Sequence, residues 1–472
     1  MSYEKRADYQ KQWLFPPSLE DWVPEDHPAR MVREFVDSQD LGELGFRPRK
    51  SEDGRPNYSA DLLLKVWLYG YMTRIRSSRG LERACMDQIG MVWLAGMHQP
   101  DHTTLWRFWR DNRPGIRRLF GQLLKVAVSL ELVGMVLHAV DGTKVVSQAS
   151  ERRGWHRAKL EKKLASLEAA IREIMKETEQ AETREQGESR LPEKLRDKEQ
   201  LREQIREQLK RLDAEERDHL NPQDPDARVM PGKGGRRFAY NAQAVADAGS
   251  RLIVAADVVN EANDQRQLVP MLEQVEQNLG GVARETVADN GYATITALGA
   301  AGRKQYPVLV DLSEPAAGER PYHISQFAYD PATDCCVCPR GETLTLDGFK
   351  RRPEVENPYT VRVYRCQSYE SCPVRWQCSS NKAGRTVHIH PDYAALERQR
   401  LKQARPGKRE ALKKRGSIIE PVFGWSKEIL GLRRWTVRGL EQTRTQWLLM
   451  CTAINLRRLH RSWVSGGLVF SR

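Results

Sequence analysis

Three acidic residues in this chain have the type and setting to do metal chemistry: Asp141 in GMVLHAVDGTKVV, Asp289 in ETVADNGY, and Glu420 in IIEPVFGW. Carboxylates converging from separate elements offer hard oxygen donors, which Mg2+ and Mn2+ prefer over thiols and imidazoles. Two such ions about 3.5 to 4 Å apart can activate one oxygen and stabilise the departure of another, as displacement at a phosphodiester requires. Singly, each residue has a plainer reading. Asp-Gly and Asp-Asn-Gly are good turn sequences, and a glutamate on a helix is ordinarily solvated. Only the joint placement, on a first strand, after a fourth strand and on a late helix, points to a metal site.

That placement follows from the order of elements. Residues 1 to about 130 read as helices broken by turns. The first is DLLLKVWLYGYMTRI, preceded by Asn57-Tyr58-Ser59; LERACMDQIGMVWLAGM follows Ser77-Ser78, and a third helix follows Pro100-Asp101-His102-Thr103-Thr104. This unit fits a helix-turn-helix-like DNA-binding domain or a helical packing domain. From Val133 the chain turns β-branched and apolar, predicting a buried strand that carries Asp141. Leu160, Leu164, Leu167, Ile171 and Ile174, then Leu201, Ile205, Leu209 and Leu212, keep heptad-like spacing either side of a break containing Gly187 and Pro192. They predict a helical hairpin over 155–218, an antiparallel coiled coil suited to dimerisation or to rigid spacing.

Strands FAYNAQAVAD and RLIVAADVV pair around Asp247-Ala248-Gly249-Ser250; the helix QLVPMLEQVEQNL, a strand ending on Asp289, a helix from Thr294 and the strand YPVLVDL follow. Three strands, helix, strand, helix, strand is the order of an RNase H-like α/β fold, in which the strands of Asp141 and Asp289 are neighbours. The predicted architecture is an all-helical N-terminal domain (1–130) and an RNase H-like catalytic domain (131–463). Two insertions interrupt the second domain: the hairpin at 155–218 and a β-rich, cysteine-containing segment at 313–392. Long helices from Tyr393 close the chain.

The formal net charge is +13, and it is concentrated. Between Glu397 and Trp463 stand 17 Lys or Arg against 5 Asp or Glu, a surplus of 12. A field of that density suits a polyanion, because each neutralised phosphate releases counterions. A solvated basic face is the alternative, but Phe423, Trp425, Leu430, Leu432, Trp435 and Trp447 interleave with the charge and mark folded structure. No apolar run is long enough to span a membrane, and MSYEKRADYQ lacks a secretory apolar stretch, so a soluble, cytoplasmic protein is expected.

Six of the eight cysteines fall between Cys335 and Cys378. Such a cluster argues for metal or packing rather than disulfides. The spacing is looser than zinc knuckles prefer. The candidate structural Zn2+ ligands are Cys336, Cys338, Cys366 or Cys372, and Cys378, with reduced packing thiols as the alternative; Cys85 and Cys451 read as core.

Taken together, DGTKV at Asp141, ADNGY at Asp289 and IIEPVFGWSKEILGLRRWTVRGL around Glu420 resemble the bacterial insertion-sequence DDE transposases. The similarity is to the branch with a β-rich segment before the final Glu. DGRPNYSADLLLKVWLYGYMTRIRSSRGLERAC and PDHTTLWRF resemble the same family's N-terminal domain. The resemblance implies that Asp141, Asp289 and Glu420 are both catalytic and metal-binding, holding two Mg2+ or Mn2+ ions. It also implies cleavage of double-stranded DNA at an element's ends, then strand transfer into target DNA, on a homodimer associated with the bacterial nucleoid. Lys427 keeps the family's spacing of seven from the Glu. Where the family has an Arg four residues before the Glu, this chain has Gly416, with Arg415 one position off and Lys413 in place of a Tyr. Arg415, Lys427, Arg433, Arg434 and Arg438 are the expected DNA-phosphate contacts. A DNA-binding protein without catalysis and a hydrolysis-only nuclease are the competing classes.

Overall fold

The computed structural model describes residues 18–47, 57–182, 193–232, 235–315, 318–353 and 358–470. Six helices open it: α1 (Pro28–Asp37), α2 (Ala60–Met72), α3 (Ser78–Asp87), α4 (Ile89–Leu94), α5 (His102–Asp111) and α6 (Arg113–Ser129). The stretch expected as one helix after Ser77-Ser78 is two, because Gln88 is extended between α3 and α4. The kink brings Gly90 so near α2 that an added Cβ would lie 2.7 Å from the Tyr69 hydroxyl. Asp101 caps α5 by accepting from the N–H groups of Thr103 and Thr104.

The central sheet begins with β1 (Leu137–Val146). A short pair, β2 (Trp155–His156) and β3 (His219–Leu220), stands at the base of two long helices, α7 (Arg157–Glu182) and α8 (Glu193–Ala214). Leu160 near the start of α7 and Leu212 near the end of α8 share one apolar cluster, so the helices run antiparallel, with Leu164, Leu167, Leu201, Ile205 and Leu209 along the seam. The break expected at Gly187 and Pro192 lies outside the described residues. The chain then returns through β4 (Arg228–Gly232), β5 (Gly235–Asp247), β6 (Ile253–Val259), α9 (Leu268–Leu279), β7 (Glu285–Ala288), α10 (Ile295–Arg303) and β8 (Val308–Val310).

The sheet order is β6-β5-β1-β7-β8, with β4 beside the first half of β5. Pairings among β6, β5 and β1 are antiparallel; those among β1, β7 and β8 are parallel. Next comes a separate antiparallel meander of β9 (Ala328–Asp330), β10 (Cys335–Val337), β11 (Thr343–Arg352), β12 (Tyr359–Cys366) and, after the short α11 (Arg375–Cys378), β13 (Thr386–Ile389). It has its own small core of Phe327, Cys336, Leu344, Tyr364, Val387 and Ile389. Helices α12 (Tyr393–Gln403), α13 (Lys408–Gly424) and α14 (Leu440–Val464) end the chain.

These last helices close the sheet. An edge strand exposes unpaired N–H and C=O groups that must find partners. At one edge the buried Asn455 of α14 accepts from the Ile253 N–H at 2.9 Å and donates to its carbonyl at 2.8 Å, imitating a further strand. At the other edge, Gln399 and Lys402 of α12 donate to the Val308 carbonyl at 3.0 and 2.7 Å, and Gln403 donates to that of Val310. The opposite side of α14 receives the N-terminal helices: Gln446 donates to the Tyr71 hydroxyl at 3.0 Å, and Arg457 to the Met72 carbonyl at 3.0 Å. One apolar cluster therefore runs from Val32 and Leu64 through Trp447 and Ile454 to Val140 and Val287.

Asn455→Ala would strand a buried donor and acceptor on Ile253, each costing roughly 1–3 kcal/mol. Urea denaturation should show a loss of at least about 2 kcal/mol; a change within a few tenths would refute the edge role.

Candidate active site

Register decides where the aspartates meet. β1 pairs with β7 only as far as Ala139 opposite Val287. Two residues beyond that pair on both strands stand Asp141 and Asp289, on the same face by the alternation of strand side chains. β7 ends at Ala288, whereas β1 continues to Val146. Past Asp141 the β7-side edge of β1 is therefore free of a neighbouring strand until Arg434 bridges Val146, and the carboxylates stand at that gap.

Each aspartate uses one oxygen on its own turn and turns the other toward the site. Asp141 Oδ1 accepts the Gly142 N–H at 2.7 Å, and Asp289 Oδ1 accepts the Gly291 N–H at 2.9 Å, capping the 3-10 turn Asn290–Tyr292. The turn reading and the site reading are thus both true of these residues. The remaining oxygens face Arg415 of α13, at 2.7 Å from Asp141 Oδ2 and 4.0 Å from Asp289 Oδ2. Burial opposes the Arg415 charge, but Asp141, Asp289 and Glu420 outweigh it and hold the guanidinium above its usual pKa. For Asp141, burial wins over the Arg415 charge and raises its carboxyl above the ordinary aspartate range.

Helix α13 lies across this face and is fixed at several points. Near its start, Lys408 holds Glu285 of β7 at 2.8 Å, and beyond its end Lys427 donates to the Thr143 hydroxyl of β1 at 2.5 Å. Pro421 within α13 has no N–H for the Ser417 carbonyl, which instead accepts from Arg251. A π-helical turn, Trp425–Ile429, follows and carries Lys427. Glu420 is exposed, and its side chain lies back over Gly416, where an added Cβ would meet Oε1 at 2.9 Å. Arg415, one position off the expected arginine, thus points at the aspartates while Glu420 occupies the space above Gly416.

The other expected cations spread outward. Arg434 forms a β-bridge with Val146, and with Arg438, Arg152 and Arg237 it lines an open cleft of about 620 Å3. Arg433 is exposed and pairs with Glu428. Among the described residues, no three His, Cys, Asp or Glu side chains are grouped closely enough to hold a metal ion.

Asp264 was not singled out from the sequence, because a polar residue in a loop before a helix is unremarked there. It accepts from Asn241 at 2.7 Å, Gln243 at 2.6 Å and Lys144 at 3.1 Å. Asn241 and Gln243 are the β5 partners of Lys144 and Gly142. Gly142 is required there, since a Cβ would lie 2.3 Å from Gln243 Nε2 and 2.6 Å from Asp264 Oδ1. Tyr292, from the ADNGY stretch, donates to Gln243 Oε1 at 2.5 Å; burial, then Asp264, Asp141 and Asp289, push its hydroxyl well above the usual pKa. The signal that would have found Asp264 is the β1–β5 register, a long-range pairing.

With this geometry in hand, comparison with known proteins gives the class. A family model described as Transposase DDE domain matches residues 337–460, and one described as Transposase domain (DUF772) matches residues 17–111. Together these two transposase-domain matches, one at each end of the chain, indicate the insertion-sequence DDE transposase family. Glu420 lies inside the first match; Asp141 and Asp289 lie in the span that neither covers. A solved cryo-EM structure of the piggyBac transposase synaptic complex with hairpin DNA aligns over 93% of this chain and 76% of that one, at 10% sequence identity and a TM-score of 0.36, too low to bear on the fold. No curated protein matches.

A carboxyl whose folded pKa is raised contributes stability below the ordinary aspartate range and loses it as pH rises through the raised value. Asp141→Asn should therefore melt above the wild-type protein at neutral pH without divalent metal, the difference vanishing below about pH 4. Equal melting temperatures across that range would contradict the burial of a charge that Arg415 only partly compensates.

Proposed function

We propose that this transposase cuts DNA at the ends of its insertion sequence and joins the freed 3′ ends to target DNA, using divalent ions held by Asp141, Asp289 and Glu420. The sheet order supports this reading: three antiparallel strands followed by two parallel ones is the RNase H-like arrangement, with the acids at the open end of β1 and β7. The observation that carries it is the sharing of one cation by Asp141 and Asp289 from adjacent strands.

That sharing also tests the fit of a metal. Two hard-oxygen donors already tolerate a single positive charge between them, which is the donor chemistry Mg2+ or Mn2+ takes. When bound, two such ions polarise the scissile phosphate and ease formation of the attacking oxyanion. Asp141 must be ionised to ligate, so metal and proton would compete for this carboxyl, which burial raises in the metal-free protein. Arg415, which pairs with Asp141 in the metal-free protein, would be freed if a metal took that carboxylate, and its planar fork is suited to a phosphate. Lys427, in the π-helical turn, places its ammonium against Thr143, two residues beyond Asp141 on β1. The cleft of Arg152, Arg237, Arg434 and Arg438 then receives the backbone of the duplex. Arg433 adds little, because it is solvated and already paired with Glu428. The N-terminal helices contribute recognition of element ends, and joining two ends calls for two copies of the chain.

Incubation with Mn2+ or Mg2+ and DNA carrying the element's own ends should give cleavage and strand joining. Asp141→Asn, Asp289→Asn and Glu420→Gln should each abolish both while still shifting end DNA in a gel. Lys427→Met should weaken end binding by roughly tenfold, the loss of one hydrogen-bonded charge of about 1.5 kcal/mol. Full activity of Glu420→Gln would overturn the three-carboxylate assignment. Cleavage without joining would make the protein a nuclease, and tight binding without cutting would make it a DNA-binding protein alone.

A further inference from the structure

We propose that the five-stranded β unit holds a structural zinc ion on four thiolates, those of Cys338, Cys366, Cys372 and Cys378. The proposal is independent of the carboxylate site and of the transposition reading.

The four side chains line one cavity of about 190 Å3, although they come from four different places. Cys338 follows β10, Cys366 ends β12, Cys372 lies in the turn after it, and Cys378 ends α11. None is in a disulfide. Burial raises the thiols of Cys366 and Cys378, and the neighbouring Cys338 and Cys372 add to that rise.

The surrounding backbone is arranged for thiolates. In Cys338-Pro339-Arg340-Gly341, the Arg340 N–H donates to Cys338 Sγ at 3.3 Å and the Gly341 N–H to the Cys338 carbonyl at 2.9 Å, with Gly341 at φ +85°. The left-handed glycine makes this tight turn accessible. A neutral thiol is a weak acceptor, whereas a metal-bound thiolate is stabilised by such donors. Positive charge is also at hand: Arg340 Nη1 lies 3.7 Å from Cys372 Sγ, and Arg385 acts on Cys378.

The remaining cysteines of the cluster face elsewhere. Cys336 is fully buried in the small core, and burial pushes its thiol up to about 11. Cys335, its neighbour on the strand, donates to the Thr333 carbonyl at 3.3 Å. The proposed set therefore differs from the one expected from spacing: it leaves out Cys336 and takes both Cys366 and Cys372.

Four sulfurs in a tetrahedral set select zinc or an iron–sulfur centre, and structural zinc sites are closed sites of this kind. As the side chains lie, no three ligating groups are close enough to hold a metal, so binding must draw the sulfurs into the cavity. There is room, since the cavity would hold roughly six waters at about 30 Å3 each. There is also a need: among the described residues the core of this unit is a small cluster of six buried side chains with Tyr329, Cys338, Cys366, Cys378 and Tyr393 packed against it, and small units of that kind are commonly stapled by metal or disulfide.

The test uses the full chain, purified without chelator from zinc-supplemented medium. Elemental analysis should find about one zinc per chain, and cobalt exchange should give an intense thiolate charge-transfer band with tetrahedral d–d bands. Cys372→Ser with Cys378→Ser should lose the metal, whereas Cys336→Ser should keep it. The wild-type cobalt spectrum decides independently of whether the double variant folds. Wild-type protein with little zinc, a coloured iron–sulfur centre, a cobalt spectrum without thiolate bands, or full zinc in the double variant would each overturn the proposal.

Discussion

The parallel pairing of β1 with β7 is the constraint on which the candidate site depends. Slipping that register by one residue would turn Asp141 and Asp289 to opposite faces. The pairing is short, from Leu137 opposite Glu285 to Ala139 opposite Val287. It is held from both sides: β5 lies along the other edge of β1 from His138 to Val146, and β8 pairs with β7 from Thr286 to Ala288. The acids emerge where pairing stops, because two carboxylates placed within a paired, packed sheet would have no solvent or cation to offset their charge.

Arg415 supplies that offset and couples the sheet to α13. A helix beside two acids would be pushed away if it carried Glu420 alone. The guanidinium converts the repulsion into attachment, and Lys408–Glu285 and Lys427–Thr143 extend the hold along the strands. The offset is incomplete at Asp141, where burial keeps the carboxyl raised despite the arginine. Sites that bind cations commonly keep such a cost in the free protein, since the ligand that relieves it is the one selected.

The C-terminal helices also account for the overall architecture. Side-chain amides from Asn455 and Gln399 complete hydrogen bonds at both edges of the central sheet, and α14 carries the N-terminal helices on its other side. The matched family segments, 17–111 and 337–460, meet here although they are remote in sequence. Basic residues at the C-terminal end therefore serve two purposes: Arg457 and Lys408 hold structure together, whereas Arg434 and Arg438 line the open cleft.

By itself the sequence determined what local chemistry controls. Helical and alternating apolar periods placed β1, β5, β6, α9, β7, α10 and β8 in order, the heptad stripe foretold the paired α7 and α8, and Asp141 and Asp289 announced themselves at strand and turn. Strands β9 and β10 were too short to leave a period, and the break at Gln88 answers to the close approach of α4 and α2. Tertiary structure alone decided what depends on which strands are neighbours. It chose Arg415 as the cation between the aspartates, brought Asp264 beneath Gly142 through the β1–β5 register, and separated Cys336 from the four cysteines around one cavity. Spacing along a chain records which residues share an element; it does not record which elements meet, and all three of these outcomes are contacts across elements.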